Sequence, residues 1–244
     1  MTGTALFVAG SHTDVGKTHV ACALVRAAQG QGLSADVLKP VVSGFDPAAW
    51  RDSDPGRLLD ALGRERTQAA LEAMSPWRYA APLAPPAAAA REGRALPLGP
   101  VVAFCRTGLA GGADLGLVEG VGGLMSPLAE AATGLDLMMA LGLPVVLVGG
   151  SYLGAISHTL TAIEVIRSRG LEVACVVVSQ SGLPEAPDFD ETVDLTTRHA
   201  LGAPVFAAAR GADETWAADI LRALYRRRAA TGPELKGALP RPGG

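Results

Sequence analysis

Six short, almost unbroken apolar runs alternate with longer stretches of helical periodicity, and no other feature restricts the fold as much. The runs are TALFVAG (4–10), ADVLKPV (35–41), DLGLVEG (114–120), PVVLVGG (144–150), EVACVVVS (172–179) and APVFAA (203–208). Strands that are apolar on both sides of the pleat must be covered on both faces, as in a parallel sheet between helices. The helical stretches at 17–30, 85–93, 97–110, 134–142, 154–169, 188–200 and 213–228 are long enough to serve as crossovers. The pattern predicts an α/β fold, a single domain to about residue 230 with a parallel β-sheet flanked by helices. In such sheets ligands bind at the carboxyl ends of the strands, so function is expected in the loops that follow the runs.

Composition narrows the function. With 244 residues, 49% of them hydrophobic and 18% charged, the chain can bury a substantial core. Its net charge is -3 and its one basic block is Arg226, Arg227 and Arg228, so no nucleic-acid partner is expected. Cys22, Cys105 and Cys175 lie far apart in sequence, which argues against a disulfide framework or a zinc knuckle and for a reducing compartment. No basic leader precedes the first run and no apolar stretch approaches membrane-spanning length. The expectation is a soluble cytoplasmic protein with no membrane partner.

Two segments depart from the alternation. Residues 42–84 are rich in proline and polar side chains and read as a long functional excursion with short helices. TGPELKGALPRPGG (231–244) has the composition of a loosely attached, flexible tail.

The loop after the first run is SHTDVGKTH (11–19). Its Gly-Lys-Thr opens a helix, as a phosphate-binding loop does, but five residues separate Gly10 from Gly16 where the usual spacing has four. Backbone N–H groups of such a loop and the helix N-terminus attract phosphate. Lys17 would reach the outer phosphates, and the Thr18 hydroxyl suits Mg²⁺. Glu119 ends a buried run and is followed by Gly120, Gly122 and Gly123 around Val121, so backbone there can approach a ligand closely. Lys39 ends another run, where it could neutralise an anionic reacting group, and Ser43 with Gly44 forms a compact turn just beyond it. Asp54, before a proline, is also compatible with ordinary helix-start chemistry.

Taken in order and spacing, GSHTDVGKT, KPVVSG, DSD, VEGVGGLMSPL, LPVVLV and LGAISH resemble the dethiobiotin synthetases, from about residue 4 to 210. The longer phosphate loop is a trait of that family. The resemblance implies a P-loop NTPase-like fold and a definite reaction. One amine of 7,8-diaminononanoate takes up CO₂ as a carbamate, ATP phosphorylates the carbamate, and the other amine closes the ring. It further implies that Asp14, Val15, Gly16, Lys17, Thr18, His19, Glu119 and Gly122 surround the nucleotide's phosphates, with Ser179 and Gln180 toward the base. Thr18, Asp54 and Glu119 would hold Mg²⁺, while Thr13, Lys39 and Ser43 would meet the reacting groups. Gly154, Ala155, Ile156 and Ser157, at a helix start contributed by the other subunit of a homodimer, would receive the substrate carboxylate. The chain departs from the family pattern at His12 (commonly Asp), Asp14 (commonly Glu), Ser157 (commonly Asn) and Ser179–Gln180, where an Asn commonly reads adenine.

A different class, the regulatory or partitioning ATPases of the deviant P-loop type, carries a signature lysine beside the first glycine. Ser11 and His12 occupy that region here. Amidotransferase-linked synthetases of related fold would need a glutaminase domain as well.

Overall fold

The structure is a computed structural model and describes residues 3–231. In chain order it comprises β1 (Thr4–Gly10), α1 (Lys17–Gly30), β2 (Ala35–Leu38), β3 (Val41–Ser43), a 3₁₀ turn (Trp50–Asp52), α2 (Asp54–Ala61), α3 (Gln68–Met74), β4 (Trp77–Tyr79), α4 (Pro85–Arg91) and α5 (Leu98–Leu109). There follow β5 (Leu115–Glu119), β6 (Pro127–Ala129), β7 (Ala132–Thr133), α6 (Gly134–Leu141), β8 (Val145–Gly149), α7 (Ala155–Ser168), β9 (Val173–Ser179), α8 (Phe189–His199), β10 (Val205–Ala208) and α9 (Thr215–Thr231). All six apolar runs contribute strands to one parallel sheet, in the order β10-β9-β8-β1-β5-β2.

Alternation along β1 divides the core. Leu6 and Val8 enter one apolar cluster with α1, α2 and α9, and Phe7 and Ala9 enter the other with α5, α6 and α7. Both faces of the sheet are therefore sealed, which is why its strands read as continuous apolar runs. Register then brings functional positions together. Leu38 pairs with Val118, and Val8 pairs with Glu119, so Lys39 and Glu119 emerge side by side just below the loop after β1.

The excursion at 42–84 holds α2 and α3, as expected, but it also contains a small parallel ribbon of β3 and β4. The run 35–41 is accordingly not one strand. It breaks after Leu38, and Val41–Ser43 pairs with Trp77–Tyr79 in the second sheet. Pro40 has no N–H to give to the main ladder, and the Lys39 N–H is taken by the Met74 carbonyl at 3.2 Å. The β6–β7 hairpin is a further addition, leading into α6, whose first turn is closed by a capping box between Thr133 and Asp136. Helix α9 continues to Thr231, and the remainder of the expected tail, 232–244, lies outside the described residues. Among the described residues no helix is long and apolar enough to cross a membrane.

Candidate active site

The phosphate loop is held in shape by its glycines and by the lysine it surrounds. Gly16 begins α1 with φ 92°, a left-handed conformation that costs glycine little. A Cβ at Gly16 would also lie 2.6 Å from Ser179 Oγ, so the loop is seated directly on the end of β9. Asp14 adopts φ 57° without being glycine, leaving strain in the loop. Lys17 folds back toward the loop: its Nζ donates to the His12 carbonyl at 3.5 Å, and a Cβ at Gly10 would come within 3.1 Å of it. Burial, reinforced by the nearby charge of Lys39, brings the Lys17 pKa down from 10.5 to about 8.

Beside the loop lies a buried ionic knot. Thr18 Oγ1 donates to Glu119 Oε1 at 2.6 Å, and Lys39 Nζ donates to the same oxygen at 2.5 Å. Lys39 also pairs with Asp54 Oδ2 at 2.9 Å, from the first turn of α2. Glu119 is 1% and Lys39 4% exposed. Burial opposes the charge on Lys39, but Glu119 and Asp54 more than offset it and hold its pKa above the ordinary lysine value. For Asp54, likewise, burial raises the pKa, but Lys39 outweighs it and the net shift is downward. Glu119 Oε2 is buried without a hydrogen-bond partner. A carboxylate oxygen left unpaired inside a protein is costly, and a cation arriving at the site would satisfy it.

The glycine-rich loop after β5 is tied to the phosphate loop by the Leu124 N–H, which donates to the Gly10 carbonyl at 2.9 Å. Gly122 has φ 65°, and a Cβ there would lie 2.5 Å from Ser126 Oγ and 3.7 Å from Thr13 Oγ1. Ser126 Oγ accepts from the Gly123 N–H at 2.9 Å. Between these two loops and α7 is a cavity of about 410 Å³, lined by Ser11, Thr13, Gly123, Ser126, His158 and Val165 among others.

The remaining expected positions are spread around this centre. Val15 is buried in the core beneath the loop. The His19 ring lies 5.9 Å from that of Trp216, on the side of α9. Ser43 ends β3, and no side-chain hydrogen bond among the described residues ties it to the ionic knot. Gln180 joins the loops after β9 and β10, its Oε1 accepting from the Arg210 N–H at 2.8 Å and its own N–H reaching the Ala208 carbonyl. Gly154 precedes α7 with φ 93° and no side-chain cap, with Ala155 buried and Ser157 exposed. Tyr152, Ser126 and His158 border the site without having been singled out as site residues from the sequence. Their proximity arises from the paths of the loop that carries Ser126 and of the loop that carries Tyr152 and leads into the first turn of α7, which leave no spacing signal.

Comparison with known proteins bears on the chain as a whole. Residues 4–214 match the family described as an AAA domain. The ATP-dependent dethiobiotin synthetase BioD of Phenylobacterium zucineum is 58% identical over 223 residues, spanning 91% of this chain and 95% of that protein. The enzyme of the same name from Caulobacter vibrioides is 55% identical over 206 residues, 84% and 92% of the two chains. Among solved structures, HypB from Helicobacter pylori in complex with nickel superposes with TM-score 0.54 at 14% identity, covering 97% of this chain and 92% of that one. The 54 kDa signal recognition particle protein of Aeropyrum pernix, in complex with GDP, gives 0.51 at 17% identity over 94% of this chain and 50% of that one. These two likenesses concern the fold alone. Similarity near-complete in length and above half in identity settles the kinship: the chain belongs to the ATP-dependent dethiobiotin synthetase family.

Proposed function

We propose that the protein closes the ring of dethiobiotin from 7,8-diaminononanoate and CO₂ at the expense of ATP, releasing ADP and phosphate. The observation that carries the reading, beyond kinship, is the direct contact of Lys39, Glu119 and Thr18 beside Lys17 of the phosphate loop. Every step joins anions or moves charge between them, so positioning and screening are the main tasks of the protein. Lys17 draws the terminal phosphates into the loop. Lys39 and Ser43 hold the carbamate oxygens, and Thr13, facing the glycine-rich loop, orients the reacting groups. The first amine gives its lone pair to the carbon of CO₂ and loses a proton. A carbamate oxygen then attacks the γ-phosphorus as ADP departs, and the second amine attacks the carbamoyl carbon as phosphate leaves.

The donor set suits Mg²⁺: two carboxylates and a hydroxyl, all hard oxygen ligands, one of them the unpaired Glu119 Oε2. Thr18, Asp54 and Glu119 would hold the ion, which when bound supplies charge neutralisation at the phosphates. Lys39 now shares Glu119 and Asp54, so its ammonium must give up part of that contact as the site fills. We further place the enzyme in the cytoplasm as a homodimer, with the uncapped start of α7 offered to the substrate carboxylate of the partner's site, and take residues 1–230 as the synthetase domain. A switch ATPase is disfavoured by Ser11 and His12, which stand where a signature lysine would be.

ADP release measured with diamine, bicarbonate, Mg²⁺ and each nucleoside triphosphate in turn tests the proposal. Turnover that requires the diamine supports it. Equal turnover without the diamine rejects it.

A further inference from the structure

Three rings meet where the phosphate loop faces α7. The His12 ring lies 5.7 Å from that of His158 with an interplanar angle of 9°, a stacked pair. Tyr152 lies 5.7 Å from each histidine at tilted angles, and its hydroxyl is 2.8 Å from His158 Nδ1. A fifth contact fixes the His12 ring itself, because Nδ1 is 2.9 Å from the Thr13 carbonyl oxygen. That oxygen can only accept, so Nδ1 carries the proton and donates. His12 is thus held by a hydrogen bond on the phosphate-loop side and by a stack on the α7 side. His12, Thr13 and His158 all line the 410 Å³ cavity.

We propose that His12 is a positioning residue that sets Thr13 and the cavity wall for the diamine, by bracing the phosphate loop against Tyr152 and His158. The proposal rests on the diamine reading above and adds to it a route between the two ends of the site. The Nδ1–H bond fixes the direction of the Thr13 peptide. The ring stack holds that peptide at a set distance from the first turns of α7. No side chain of the trio touches Lys17 Nζ or the ionic knot, and Lys17 Nζ meets His12 only through its main-chain carbonyl, which every His12 variant keeps, so nucleotide binding is expected to depend little on the brace. Stacked and tilted ring pairs of this kind contribute modestly in energy but restrict geometry, which matters most where a small displacement misaligns reacting groups.

The test compares His12→Ala, His158→Ala and the double variant, with His12→Asn and His12→Phe as partial restorations. His12→Ala should raise the diamine KM about tenfold while the dissociation constant of a non-hydrolysable ATP analogue changes less than about twofold. His12→Asn keeps a donor for the Thr13 carbonyl and His12→Phe keeps the ring, so each should recover part of the loss. Because the stack is shared and the Nδ1 bond belongs to His12, the double variant should be little worse than His12→Ala alone. A diamine KM within twofold of the unaltered protein in His12→Ala, or effects that multiply in the double variant, would overturn the proposal. The brace can also be read without turnover. In ¹H–¹³C spectra His158→Ala should move the His12 ring resonances, and unmoved resonances sink the brace. If the unaltered protein shows no diamine-dependent ADP release, the functional reading falls, and the ring shifts still decide whether the brace exists.

Discussion

At the carboxyl end of β5, Glu119 is sealed from solvent and held by Thr18 and Lys39, whereas at the start of α7 Leu153 is 87% exposed and Gly154 opens the helix with no side-chain cap. The first region is complete within one chain, except for one carboxylate oxygen that a metal would satisfy. The second presents a bare leucine and the helix start at Ile156 and Ser157 to whatever lies outside the chain, the Ala155 N–H being taken by the Tyr152 carbonyl at 2.9 Å. The contrast matches the chemistry proposed for each. Phosphoryl transfer needs fixed charges in a place from which water is excluded. A distal carboxylate needs only a receptive helix end, and a second subunit can provide it.

The sharpest way to break the contrast is to cut the knot. Lys39→Ala leaves Glu119 buried without its cation, at a cost of about 3–5 kcal/mol in stability, and should lower turnover by a factor of about 10² or more. Thermal unfolding alongside steady-state kinetics separates the two effects. Retention of near-normal turnover would remove Lys39 from the reaction. Gly16→Ala comes next. The left-handed φ of 92° and the 2.6 Å approach to Ser179 Oγ both oppose a methyl group, so triphosphate affinity should fall by about tenfold in a binding titration, equivalent to about 1.4 kcal/mol.

At the other region, Ser157→Glu sets a like charge against the substrate carboxylate and should raise the diamine KM several-fold while sparing nucleotide binding. Mixed with Lys17→Ala protein, it should regain activity after subunit exchange, because a mixed dimer with shared sites has one site free of both lesions. Verified exchange without recovery would make the second region as self-contained as the first.

A smaller effect concerns protons. Lys17 has a folded pKa of about 8 against 10.5, so the unfolded chain holds this proton more tightly. This residue therefore lowers stability fully below pH 8, and its penalty fades as pH rises from about 8 toward 10.5. Bound triphosphate favours the ammonium, so nucleotide binding at pH 8.5 should take up a fraction of a proton that is nearly absent at pH 7. Calorimetry in buffers of different ionisation enthalpy reads this uptake directly.

Legibility in the sequence follows the same division. The sheet was visible because strands buried on both faces must be apolar throughout, and all six runs supplied strands. Lys39 and Glu119 were visible because each sits at a strand end, where register brings them together, and Lys17 and Thr18 because they open the helix that follows the loop after β1. The break at Pro40 and the β3–β4 ribbon were not anticipated, since partners 36 residues apart in three-residue strands leave almost no periodic signal. The ring trio was hidden for a similar reason. His12 stood out only as a departure from its family, and Tyr152 and His158 reach it through the turn into α7, whose path no local pattern dictates.

The most direct measurement follows the carbon. With ¹³C-bicarbonate, ATP, Mg²⁺ and 7,8-diaminononanoate, the account predicts one labelled carbonyl in a cyclic urea for each ADP released, with both amines of the diamine consumed. ADP released at the same rate without diamine, and no label in any cyclic product, would contradict it.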